Sequence, residues 1–246
     1  MLPNFFAKTF FKSSVTPAPK SKGIPETVLI LLISLFIMAA HNWQFFENAA
    51  NVYETHNNYA LSMLLIFSLH FLLLFICLAL LGFGRLLKGM LALVLVTSAS
   101  AAYFTDTYNV IIDADMLDNV VKTDAAEARD LLSIKQFVYI LLLGVLPAWL
   151  VWRTPVQAKP FIKRIIWRLA ILVISFVILL GNVLIASEFY ATYIREHANV
   201  RYYSTPLGPY VEMITYINRE YIQADQTAFQ IIAPDATRTP SDKPKL

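Results

Sequence analysis

The chain has 246 residues, of which 57% are hydrophobic and 15% charged, with a mean hydropathy of +0.56. Soluble domains carry about 25% charged residues, so this excess of apolar side chains has to face lipid. A formal charge of +3 without a basic cluster argues against a nucleic-acid partner, and a lone cysteine, Cys77, excludes an internal disulfide framework or a Cys-based zinc site.

Five apolar stretches are long enough to cross a hydrocarbon core about 30 Å thick, which takes about 20 helical residues. They are Glu26–Phe46, Tyr59–Leu81, Leu86–Thr105, Gln136–Trp152 and Ile165–Ser187. Helices alone satisfy every backbone polar group within one such segment. The expected fold is therefore all-α, an integral membrane five-helix bundle.

Basic residues orient the spans. Lys8, Lys12, Lys20 and Lys22 precede the first, Arg85 and Lys88 flank the start of the third, and Arg153, Lys159, Lys163, Arg164 and Arg168 run from the end of the fourth to the start of the fifth. The opposite side has no basic residue from Asn48 to Asn58, and its long loop is acidic. The positive-inside rule then puts the N-terminus in the cytoplasm and the C-terminal tail outside. The Lys-rich flank, Val28–Ala40 and the small residues Ala39 and Ala40 also match a secretory signal. The apolar run continues through Trp43, Phe45 and Phe46, which favours an uncleaved span; cleavage would leave four.

Between their interfacial ends the spans hold no Asp, Glu, Lys or Arg, which argues against an ion-coupled carrier. His70 is read as a neutral imidazole bonded to a neighbouring helix. The patch Thr97-Ser98-Ala99-Ser100-Ala101-Ala102 suits close approach of another helix. Trp43, Trp149, Trp152 and Trp167 sit near span ends as interfacial anchors.

In the loop, residues 106–134, Asp113 is placed to cap a helix running from about Ala114 to Leu132. On it Asn119, Thr123 and Glu127 recur every four residues and share one face. That stripe is either an ordinary solvated face or a lipid head-group site, with an amide and a hydroxyl for phosphate or glycerol oxygens and a carboxylate for an ammonium.

Residues 188–232 read as connecting helices at the interface: one over Glu188–Asn199, a break at Pro206, Gly208 and Pro209, then a helix with Tyr210, Ile214, Ile217 and Tyr221 on one face. Seven of the twelve tyrosines fall between Tyr190 and Tyr221. Residues 233–246 have linker composition, and residues 1–25 form a cytoplasmic N-terminal segment.

The run Tyr103-Phe104-Thr105-Asp106-Thr107-Tyr108, followed by Asp113, Met116-Leu117, Asn119, Thr123, Glu127 and Leu131-Leu132, resembles the lipid A phosphoethanolamine transferases. It is most similar to the branch that includes the mobile colistin-resistance enzymes. Tyr190-Ala191-Thr192-Tyr193, Arg195, His197, Arg201, Tyr203 and Pro206 agree, while Thr205 stands where an asparagine commonly precedes the proline, and Glu196 and Ala198 replace more typical neighbours.

The resemblance implies an enzyme of the bacterial inner membrane that moves phosphoethanolamine from phosphatidylethanolamine to lipid A. It implies that the stripe matching Asn119, Thr123 and Glu127 helps bind the head-group. It also implies a zinc-activated threonine in a soluble catalytic domain, the chain's own C-terminal partner. The four histidines, His41, His56, His70 and His197, are too scattered for a metal site. Catalytic residues, metal and cofactor are therefore expected beyond this chain, which alone would be inactive. The alternative is a non-enzymatic multi-span assembly or transport partner complete at residue 246.

Overall fold

The computed structural model describes residues 23–54, 58–82, 84–124, 132–157 and 160–222. Most of the N-terminal segment, the 233–246 linker and Glu127 fall outside them. Four unbroken helices are long and apolar enough to cross a membrane: α3 (Tyr59–Leu81), α4 (Leu87–Tyr108), α6 (Ile134–Arg153) and α7 (Phe161–Ile185). A bent pair, α1 (Glu26–Ala40) and α2 (Trp43–Tyr53), meets at 63° and is long and apolar enough for a fifth span only when the two are taken together. The chain is thus a helical membrane protein with four spans among the described residues, or five where the bent pair counts as one. The spans pack in the order α7, α3, α1, α4, α6, each against the next.

The first span therefore differs from the expected continuous helix over Glu26–Phe46. Helix α1 has 15 residues, about 22 Å of rise against a core of about 30 Å. It stops because the next two residues turn their side chains into the protein. His41 and Asn42 are both buried, with Nδ1 of His41 2.8 Å from Ser98 Oγ on α4 and Nε2 3.1 Å from the Leu143 carbonyl on α6. Helix α2 then lies across the loop-side end of the bundle. Its N-terminus is capped by Asp106, which accepts the Gln44 amide at 3.1 Å and the Tyr139 hydroxyl at 2.7 Å.

Ile37, Leu74, Leu87, Leu91 and Leu95 form the centre of the core between α1, α3 and α4. The small-residue patch on α4 does admit a close neighbour. A Cβ on Gly144 of α6 would lie 3.1 Å from Ala99 Cβ and 3.2 Å from Val96 Cα. Most of α7 stays exposed, including Val173, Ile174, Phe176 and Val177, as a lipid-facing helix requires.

His70 differs from its expected role. Its Nδ1 lies 2.9 Å from the Ile66 carbonyl of its own helix, and its neighbours from elsewhere are the rings of Phe45 and Tyr193. At the opposite end of the bundle from the loop, Glu26 pairs with Arg168 at 2.8 Å and Arg164 at 3.0 Å. Arg168 also donates to the Ala79 carbonyl at 2.9 Å, so a cation near the end of a span is held by one carboxylate and one helix terminus.

Candidate functional site

Asp113 caps α5 (Ala114–Lys122) as expected, accepting the Met116 amide at 2.8 Å. The helix is shorter than the sequence suggests. Thr123 has extended backbone, with ψ 130, and its amide and hydroxyl both donate to the Asn119 carbonyl, at 2.9 and 2.7 Å. The helix ends where the Thr123 backbone leaves the helical region, with its hydroxyl doubling the amide on the Asn119 carbonyl. Asn119 and Thr123 are thus adjacent, but the eight-residue stripe to Glu127 does not run on one continuous helix.

The tail meets α5. Helix α8 (Ser187–Glu196) gives way at His197 to a short α9 (Ala198–Tyr202), so the expected single helix to Asn199 is broken. Tyr190 and Tyr193 are buried against Phe45, Ala49 and Tyr53 of α2, and burial pushes both phenols above their ordinary pKa. The chain then turns at Thr205, whose peptide to Pro206 is cis, and enters α10 (Leu207–Ile217), extended by a wider turn over Asn218–Ile222. Gly208 and Pro209 begin that helix rather than break it. A proline in a first turn removes an amide that has no helical partner anyway.

Asn42 fixes this turn. Its amide nitrogen donates to the Thr205 carbonyl at 2.7 Å and to the Ile37 carbonyl at 3.0 Å, and its oxygen accepts the Thr205 amide at 2.8 Å. The contact to residue 205 is entirely with backbone, which is why a threonine serves at that position.

Helix α10 is clamped on both sides. Tyr210 reaches Thr97 of α4, with the two oxygens 2.6 Å apart. Glu212 accepts the Ala114 amide at 3.2 Å, and Arg219 meets Asp115 at 2.6 Å. The face with Glu212 and Arg219 therefore docks on the loop helix, while Ile214, Ile217 and Tyr221 remain exposed.

Between α4, α5, the start of α6 and α10 lies a cleft of about 670 Å³. Phe104, Tyr108, Met116, Leu117, Val120 and Met213 make its walls apolar, and Thr123 stands at it. It runs along α4 from Thr97 to Tyr108, eleven residues or about 16 Å, which is about half the hydrocarbon thickness.

Among the described lining residues one buried polar atom stands without a partner. Gln136 is buried, and its side-chain oxygen has no hydrogen-bond partner among the described residues. A buried acceptor left unpaired costs about 1–3 kcal/mol, so a site that keeps one is suited to a donor from outside. No local sequence signal marks it, because a glutamine at a span end reads as interfacial.

A family described as "Phosphoethanolamine transferase EptA/EptB" matches residues 70–221, more than half of the chain. The chain belongs to that family. Among curated relatives, "Phosphatidylethanolamine transferase Mcr-2" of Escherichia coli is 36% identical over 91% of this chain and 42% of its own length. "Phosphatidylethanolamine transferase Mcr-1" of Escherichia coli is 31% identical over 92% of this chain and 42% of its own length. The chain thus spans about two fifths of these relatives. The solved structure of the integral membrane protein lipooligosaccharide phosphoethanolamine transferase A (EptA) from Neisseria meningitidis superposes with a TM-score of 0.73, at 24% identity, over 83% of this chain and 38% of that one. It shares the fold of the family's membrane domain.

Proposed function

We propose that this chain is the membrane-anchor and lipid-access domain of an enzyme that transfers phosphoethanolamine from phosphatidylethanolamine to lipid A. It sits in the bacterial inner membrane with its N-terminus in the cytoplasm and with the α5 loop and α8–α10 in the periplasm. Its relatives carry the transferase names, and each is more than twice as long as the stretch it shares with this chain. Among the described residues no group of three His, Cys, Asp or Glu side chains converges to hold a metal. The family resemblance assigns zinc and the covalent nucleophile to a soluble catalytic domain linked to the tail.

The observation that carries the reading is the unpaired Gln136 oxygen in an apolar cleft one leaflet deep. Acyl chains lie along Phe104, Leu117 and Val120, and the ethanolamine head offers its ammonium to Gln136. The Asn119 amide and the Thr123 hydroxyl serve phosphate or ester oxygens, and the Glu127 carboxylate pairs with the ammonium. The domain contributes orientation, and a displacement of about 1 Å at a reacting centre can cost about a hundredfold in rate.

The test is Glu127→Gln in the complete gene product, with lipid A composition read by mass spectrometry. Phosphoethanolamine on lipid A falls while the membrane-inserted protein level holds. Unchanged modification removes Glu127 from the head-group site.

A further inference from the structure

A second groove lies across the bundle from the Gln136 cleft and shares no lining residue with it. It opens where α3 begins and where α7 passes into α8, the same end of the bundle as the loop, and encloses about 970 Å³. Its lining mixes exposed aliphatic side chains, Leu61 at 52% and Ile185 at 89%, with the polar Asn58, Ser62, Glu188 and Thr192.

Ser62 is 6% exposed, lines the groove, and its hydroxyl makes no hydrogen bond among the described residues. Ser34, Ser68 and Ser100, on other turns of the spans, each return theirs to a carbonyl of their own helix. The side chains of Asn58, Glu188 and Thr192 likewise make no hydrogen bond or ion pair among the described residues. Ser62 is buried, Thr192 half-buried and Asn58 and Glu188 exposed, so four polar side chains without a protein partner among the described residues line one groove beside exposed aliphatic side chains.

We propose that this groove binds a glycerophospholipid with a primary ammonium head. Acyl chains run along Leu61 and Ile185, and the hydroxyls of Ser62 and Thr192 and the Asn58 amide donate to ester and phosphate oxygens. The ammonium pairs with Glu188. Glu188 is the one charged residue among the described lining, and no cation stands there to meet a head-group that carries a phosphate alone. The bound lipid bridges α3 and α8, filling the space between span and tail.

The experiment uses the full chain in nanodiscs containing a phospholipid with a photoactivatable acyl chain, in ethanolamine-headed and glycerol-headed forms, with adducts mapped by peptide mass spectrometry. The ethanolamine form labels the peptides around Leu61 and Ile185 about threefold to fivefold more than the glycerol form, the ratio expected for one ion pair at an exposed carboxylate. Glu188→Gln, at an exposed position that does not threaten folding, brings the two forms level, and Ser62→Ala lowers labelling by both. Adducts in the Gln136 cleft are unaffected by either variant. Equal labelling by the two head-groups, labelling indifferent to Glu188→Gln, or no adduct on these peptides overturns the proposal.

Discussion

Replacing Asn42 by alanine tests how the tail is fastened to the spans. The Asn42 side chain makes three hydrogen bonds, two of them to the backbone of Thr205, which is 1% exposed. The Ile37 carbonyl keeps its other donor, the His41 amide at 2.9 Å, so its loss adds little. The Thr205 amide and carbonyl are each orphaned in a buried place at about 1–3 kcal/mol apiece, or about 4 kcal/mol for the pair. Every 1.4 kcal/mol is a factor of ten, so local opening of the turn becomes about a thousandfold more frequent. Hydrogen exchange of the full chain in detergent micelles reads this directly over residues 204–210. The Thr205, Gly208 and Tyr210 amides, bonded to Asn42, Ser204 and Pro206, exchange faster, while those in the middle of α3 keep their rates. Exchange in 204–210 within about threefold of the parent protein would refute the latch, since local stability sets these rates.

Glu26→Gln leaves Arg168, with a side chain 6% exposed, without its carboxylate. Breaking a buried pair on one side costs about 3–5 kcal/mol, and a lowered melting temperature in detergent checks it; the further change Arg168→Gln restores part of the loss. Gly144→Leu forces a side chain against Val96 and Ala99 and costs about 1–3 kcal/mol. Gly181→Ala on α7, where an added Cβ meets nothing within 4 Å, leaves thermal stability unchanged or slightly raised. Equal melting temperatures for the two glycine variants would count against close packing of α4 and α6.

Local features were legible in the sequence because their causes are local. Asp113 and Met116 are three residues apart, so the cap can be read from the chain alone. The small residues from Thr97 to Ala102 announced a close neighbour without saying that it is Gly144. Long-range pairings left no such trace. Asn42 meets Thr205 across 163 residues and His41 meets Leu143 across 102, so the break in the first span was hidden inside an apolar run. The spacing of Asn119, Thr123 and Glu127 suggested one helical face, but a threonine can end a helix as readily as extend it, and Thr123 does the former. Gln136 went unnoticed because its significance is a missing partner, which only the packed structure reveals.

The lipid-access reading is tested most directly by Gln136→Leu in the complete gene product. Removing an unpaired buried acceptor relieves a cost of about 1–3 kcal/mol in the ligand-free protein, so the melting temperature in detergent rises or holds. If the cleft seats the donor lipid by that oxygen, phosphoethanolamine on lipid A falls in the same variant. Stability gained with transfer lost is the predicted pair of results; full lipid A modification by Gln136→Leu would contradict the account.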